Sequence, residues 1–233
     1  MGLTSALLAA VVTEVYCHRC LAHRSYAMHA RLATVLDMYF KVIVGTNPAT
    51  WAVVHRTHHR YADTPRDPHS PRVRRPISVL AGSALLFAQA RRRLLGDQPV
   101  GRERAHLIWR GVITAFFLVT CGVEQVIVML VVHLATYLGV QGMVNTVGHL
   151  YGTKPYPDAP GYDLAVLAIP LLGHGYHNSH HAHPEAARTG ALDPIWPLLL
   201  VLHRMRLITI GGQAGRPAVL PECSPQRSGW TPP

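Results

Sequence analysis

Lysine and acid are scarce in this chain of 233 residues: Lys41 and Lys154 are the only lysines, and aspartate and glutamate together number 12. The net charge is nevertheless +10, carried by arginine. A basic excess suits nucleic acid, an anionic lipid surface or an acidic substrate. With 49% apolar and only 15% charged residues, the last two fit better and no nucleic-acid partner is expected. Cysteine is equally sparse. Cys17, Cys20, Cys121 and Cys223 are too few and too scattered for a disulfide framework. Cys17 and Cys20 flank His18 as a C-x-x-C pair, but no second pair completes a four-ligand zinc site. There is no G-x-G-x-x-G fingerprint and no iron–sulfur cysteine run, so flavin, dinucleotide or cluster chemistry within the chain is not expected.

The length suits one domain. Residues 3–17 are apolar apart from Thr4, Ser5, Thr13 and Glu14, and no basic stretch precedes them, which argues against a signal peptide. As a helix they span roughly 22 Å, short of the ~30 Å hydrocarbon core, and so read as the inner half of a spanning helix. Residues 32–54 contain Asp37, Lys41 and Asn47-Pro48 and read as an interfacial amphipathic helix. A Pro/Arg loop follows at 65–75, then a short surface-lying helix over 77–90 that ends in three arginines. Residues 106–121 and 123–147 give the strongest membrane signal, a helical hairpin turned near Gly122. Basic stretches flank both its ends, which places them on the cytoplasmic side. One more amphipathic helix is expected over 195–207, and 211–233 is Gly/Pro/Ser-rich, a composition that predicts disorder.

Histidine is unusually abundant: its 16 copies outnumber all the acids. H-x-x-H-H occurs twice, as His55, His58, His59 and as His177, His180, His181. On a helix, positions i, i+3 and i+4 share one face, so each triplet projects three imidazoles together. His18 and His23 form a third group whose i, i+5 spacing does not align on an α-helix, so one of them is expected at a helix end. Gln141, Asn145 and His149 make a polar stripe along the second hairpin helix, a placement that normally has a partner or a function. Single histidines are more often structural than ligating, and His29, His69, His106, His133 and His203 carry no such spacing. Nine clustered histidines exceed the three or four ligands of a lone zinc site and match two metals with four or five ligands each. Imidazole alone does not choose the metal. Clustering at the cytoplasmic ends of membrane helices beside an apolar channel suits oxidation of a long hydrocarbon, which favours iron.

The blocks "HRCLAHRSY", "HRTHHRYADTPRDPHSP", "NTVGHLYGTKPY" and "GHGYHNSHH", in that order over roughly residues 14 to 190, resemble the integral-membrane fatty-acyl desaturases, the acyl-CoA delta-9 type in particular. The resemblance implies an all-α integral membrane protein over residues 1–210, with a cytoplasmic helical cap carrying a dimetal site. It implies one iron held by His18, His149, His177 and His181 with a water positioned by Asn145, and a second held by His23, His55, His58, His59 and His180. Trp51 matches a tryptophan at the bend of the family's acyl tunnel, where geometry would select the reacting bond. Three departures stand out. Only 17 residues precede His18 where a complete helical hairpin is usual; His174 stands where glutamate is common; and His183 replaces a usual aromatic. The exchange at 174 removes a carboxylate expected to orient ligand imidazoles, leaving His174 as an added ligand or a solvent-facing side chain.

The function expected on this basis is O2-dependent desaturation of a long-chain acyl group carried by coenzyme A, acyl carrier protein or a lipid. A diiron hydroxylase or acetylenase, or a decayed desaturase that binds metal without turnover, are the alternatives. A metal transporter would place its ligands near the bilayer midplane, whereas these boxes flank the spans. Electrons must come from a separate ferredoxin-, rubredoxin- or cytochrome-like donor, which the basic face could dock.

Overall fold

The computed structural model describes residues 1–96 and 105–211; the tail expected over 211–233 therefore lies, but for Gly211, outside the described residues. These are predominantly helical. In chain order they are α1 (Gly2–Val12), which winds directly into a π-helical segment (Thr13–Ala22), then α2 (Ala30–Ile43), α3 (Pro48–Tyr61), α4 (Pro76–Ala81), α5 (Ser83–Leu95), α6 (Ala105–Cys121), α7 (Val123–Leu150), α8 (His177–Ala182) and α9 (Trp196–Arg204). The all-α expectation needs one small correction. β1 (Ala27–Met28) and β2 (Ile208–Thr209) pair antiparallel, Ala27 with Thr209 and Met28 with Ile208. The pairing is driven by burial of Ile208, which joins the core with Tyr16, Phe40, Ile195 and Leu199.

The first helix is longer than its apolar composition suggests. Gly2–Ala22 is continuous for 21 residues because the wider π winding carries it through the polar stretch that ends the apolar run. Its small residues Ala6, Ala9 and Ala10 lie fully buried against Tyr137 of α7. A Cβ at Gly2 would meet the Met129 carbonyl of α7 at 2.5 Å, so this crossing depends on small side chains. Cys17 and Cys20, the C-x-x-C pair, are buried free thiols within the core rather than metal ligands.

The amphipathic stretch 32–54 is two helices, not one. Asn47 accepts hydrogen bonds from the amides of Ala49 and Thr50 (2.8 and 3.4 Å) and Pro48 opens α3, a strong start signal that the apolar pattern masks. The segment 77–90 is likewise split, at Gly82, and does not merely lie on the surface. Val79 is completely buried, and Gly142 of α7 would place a Cβ only 2.1 Å from the Leu80 carbonyl, so α4 packs directly on the spanning-length helix. The α6–α7 hairpin turns at Gly122 with φ +83°, as the sequence predicts. Along it Leu107, Ile108, Trp109, Val112, Phe116, Val119, Ile127, Val128, Leu130 and Val131 are exposed. Among the described residues two helices, Gly2–Ala22 and Val123–Leu150, are long and apolar enough to cross a membrane.

Candidate metal centre

Four elements deliver the histidines to one end of the bundle. The π segment contributes His18 and, one residue past its end, His23. The i→i+5 bond from the His23 amide to the His18 carbonyl (3.0 Å) closes a turn that stacks residues five apart, so the spacing that defeats an α-helix works here. α3 presents Trp51, His55, His58 and His59, and the end of α7 presents Asn145 and His149. Short α8 presents His177, His180 and His181 and is anchored from both sides. Asp163 accepts the amide (3.0 Å) and hydroxyl of Ser179, while the Asn178 amide donates to the carbonyls of Tyr156, Ala159 and Pro160 (3.0–3.2 Å). Gly148 leaves the space that the His177 ring fills, where a Cβ would come within 2.9 Å.

The nine histidines converge in two groups. His18, His23, His55, His59 and His180 form one; His58, His149, His177 and His181 form the other. This division differs from the one that the resemblance implies by a single exchange, of His18 for His58. His180 lies 3.1 Å from His18, Nε2 to Nε2, while His58 lies 3.2 Å from His149, and His55 and His58, on one face of α3 with ring centroids 6.1 Å apart, go one to each group.

The hydrogen bonds around these rings define what they can hold. His58 Nδ1 lies 3.0 Å from both oxygens of Asp67, and His149 Nδ1 lies 3.2 Å from Asp63. A carboxylate accepts, so the protons sit on Nδ1 and both Nε2 atoms present lone pairs to each other. His18 is set the same way by Glu14, at 3.0 Å. Facing lone pairs 3.2 Å apart repel unless a cation lies beside them both. Further Nε2 pairs stand 2.8 Å (His23–His55), 2.9 Å (His149–His177), 3.1 Å (His59–His180) and 3.2 Å (His177–His181) apart. A metal bound by imidazole at about 2.1 Å puts neighbouring ligand nitrogens at right angles roughly 3.0 Å apart, so the donor set fits. Burial holds the imidazoles of His55, His58, His59, His177, His180 and His181 well below the usual histidine range, and His23 down to about 2, so all are neutral and ready to ligate at pH 7. Burial pushes the Asp67 carboxyl up to about 6, yet it stays mostly ionised at pH 7 under the amides of Asp63 and His69.

Sequence reasoning missed the supports. Glu14 is buried, and besides His18 it accepts from Arg19 Nε (2.6 Å) and His174 Nε2 (2.6 Å). Arg19, 1% exposed, continues to Asp193 (2.8 and 3.1 Å) and the Ala187 carbonyl (2.7 Å), tying the π segment to the chain beyond α8. The signal was present as an acid inside an apolar run with a histidine at i+4. His174 is therefore neither solvent-facing nor part of the two large groups; it turns to Glu14, with which His18 makes a third, smaller cluster. His183 packs edge-on against Tyr156, 5.0 Å between rings. His69 packs against His58 with the rings tilted by 31° and 4.4 Å apart, and shares Asp67 with it.

Beside the histidines runs a cavity of about 270 Å³. His55, His58, His177, Trp51 and Asn145 line its near end; Val44, Val54, Phe87, Leu134, Leu138 and Val144 make its walls apolar. Trp51 stacks on His55, 4.8 Å between centroids and 16° between planes.

The sequence profile described as fatty acid desaturase matches residues 1–202. A probable chloroplastic lipid desaturase of Arabidopsis thaliana is 29% identical over 82% of this chain and 57% of its own length. Acyl-CoA desaturase 1 of Saccharomyces cerevisiae is 30% identical over 73% of this chain and 36% of its own, and stearoyl-CoA desaturase 5 of Homo sapiens 27% identical over 76% and 60%. The chain thus spans less than two thirds of the length of these relatives.

Proposed function

The chain belongs to the fatty acid desaturase family, and on that premise we propose that it is an O2-dependent desaturase of a long-chain fatty-acyl group acting at a pair of iron ions. The observation that carries this reading is the convergence of two neutral, carboxylate-oriented imidazole clusters on the wall of one apolar cavity. His18, His23, His55, His59 and His180 would hold one ion and His58, His149, His177 and His181 the other, with Asn145 positioning a water beside the second. Bound iron would supply dioxygen activation: two adjacent methylenes lose one hydrogen atom each, a donor protein gives two electrons, solvent gives two protons, and O2 leaves as two waters.

The chain's own part is placement. Trp51, fixed by its stack on His55, holds the acyl chain where the cavity passes the clusters, and the apolar walls keep water from the reacting methylenes. Glu14, Asp63 and Asp67 keep the protons of their histidines on Nδ1 and so keep the ligand atoms free. A multi-pass membrane protein with the metal centre on the cytoplasmic side accounts for the exposed apolar faces of α6 and α7 and for the basic residues that flank the hairpin, the arginines at the end of α5 and Lys154 after α7. Acyl thioesters of coenzyme A or acyl carrier protein and lipid-linked chains are the candidate substrates; yeast and human relatives are named for acyl-CoA, the plant relative for lipid. A separate ferredoxin-, rubredoxin- or cytochrome-like protein would deliver electrons.

The test is expression with a ferredoxin and its reductase beside a His180→Ala control, with fatty acids analysed by mass spectrometry for double-bond position. A new double bond absent from the control is the expected result. A new hydroxyl would transfer the chain to the hydroxylases, and an unchanged profile from protein purified with iron would overturn the activity.

A further inference from the structure

The lining of the cavity away from the histidine clusters is not all hydrocarbon: it includes Tyr137 and His133 of α7. Along α7 it is lined from Asn145 back to His133. His133 lies sixteen residues before His149, about 24 Å along the helix axis and well inside the spanning-length segment. An ionisable side chain at such a depth is rare unless it has a partner or a task. His133 is 7% exposed, its ring lies parallel to that of Tyr137 (6.1 Å between centroids, 13° between planes), and its Nδ1 is buried with no hydrogen-bond partner among the described residues. Tyr137 also lines the cavity and is 5% exposed.

The proton order at this end can be read from the contacts. Thr13 donates its single hydroxyl proton to the Ala9 carbonyl at 2.7 Å. The 2.9 Å contact between the Thr13 and Tyr137 hydroxyls must then be donated by Tyr137. The Tyr137 oxygen is left with accepting capacity only, while a neutral His133 offers one donor and one acceptor nitrogen. A methyl terminus would leave His133 Nδ1 unpaired and the accepting capacity of Tyr137 unused. A carbonyl, which only accepts, would leave the accepting lone pairs of Tyr137 unused, and a carboxylate would carry charge into the apolar segment. A hydroxyl donates and accepts at once.

We propose that the end of the cavity remote from the metal centre is a recognition site for a hydroxyl group on the distal end of the acyl chain, built from Tyr137 as acceptor and His133 as its neighbouring partner. The proposal rests on the reading of this cavity as the acyl-chain site. It makes the protein selective for chains that are already oxygenated at their far end, so that a chain hydroxylation precedes this step. Length and polarity are then read together: a hydroxyl is recognised only on a chain long enough to place it at Tyr137, and a longer chain does not fit the closed end.

The experiment is displacement of fluorescent cis-parinaric acid from the purified full chain in amphipol by saturated acids from lauric to stearic and by their ω-hydroxy counterparts. Metal loading and turnover are not needed. At one chain length the ω-hydroxy acid should bind roughly tenfold more tightly than its unmodified parent, the scale of one or two buried hydrogen bonds. Tyr137→Phe and His133→Leu, which keep size and apolar character, should each abolish that preference while leaving the unmodified acids bound as well as before. Equal affinity of the two series at every length, as a bound water alone at this end would produce, overturns the proposal. So does a preference that survives both substitutions. If neither series displaces the probe, the chain-binding reading of the cavity falls and this inference falls with it.

Discussion

The two histidine groups are built from the same residue type but are held to different standards. In the four-histidine group both His58 and His149 are locked by carboxylates, and His58, His149 and His177 are all buried. In the five-histidine group only His18 leans on a carboxylate among the described residues, and His23, His55 and His59 are only partly buried. Orientation by a partner on Nδ1 raises both basicity and rigidity of an imidazole. The first group is thus the more rigid and the second the looser, with one more histidine, which is the division of labour expected if the proposed metals are held one firmly and one accessibly.

The sharpest way to break this comparison is to remove ligands and support separately. His58→Ala and His180→Ala each take one ligand from one group and should abolish loading of that metal, measured as iron per protein after purification. Asp67→Asn leaves every ligand in place and should weaken the four-histidine site by 10–100-fold. Dilute chelator should strip one metal before the other from the parent protein, and simultaneous release in both parent and Asp67→Asn would show that the two groups are equally firm.

A large effect is also expected at the clamp beneath the five-histidine group. Asp193→Ala leaves Arg19 buried with half its charge partners, at a cost of about 3–5 kcal/mol, and should lower the melting temperature by several degrees. Asp37→Ala, which breaks the partly exposed pair with Lys41 (2.7 Å), should cost under about 1 kcal/mol. Comparable effects would mean that the Glu14–Arg19–Asp193 chain is not what holds the π segment in place.

The next effect is on pH. The buried imidazoles titrate far below 6.5 in the folded protein, to about 2 for His23, and near 6.5 when unfolded. The unfolded chain therefore binds more protons between those values, so stability of the metal-free protein rises with pH and is lost as pH falls below about 6.5. Metal should flatten this dependence, because bound imidazoles cannot protonate. A melting temperature of the metal-free protein that is level from pH 7 to 5 would contradict the burial of these rings. The smallest effect belongs to Trp51→Ala. It should leave metal content unchanged and broaden the double-bond positions formed, and an unaltered product profile would remove Trp51 from the substrate path.

What could be read directly from the sequence was periodic or repeated. The two H-x-x-H-H triplets project from α3 and α8 because i, i+3, i+4 is a property of any α-helix, and the α6–α7 hairpin follows from two apolar runs around Gly122. Asn47-Pro48 was legible too, as a cap and helix start, but was overridden by the amphipathic pattern around it. Glu14 left a local trace, an acid four residues before His18, but Asp193 was not legible, because it meets Arg19 across 174 positions of chain.

By itself, then, the sequence determined which side chains could hold metal, since ligand chemistry is carried by residue type and local spacing. Only the tertiary structure decided how they are shared: that His18 joins His180 and His58 joins His149, that His174 turns to Glu14, and that Tyr137 and His133 line the same cavity as His55 and His58. The reason is physical. A helix sets the angle between neighbours along the chain, but which helix faces meet, and therefore which nitrogen stands 3 Å from which, is set by packing contacts such as Gly148 against His177 that no local pattern encodes.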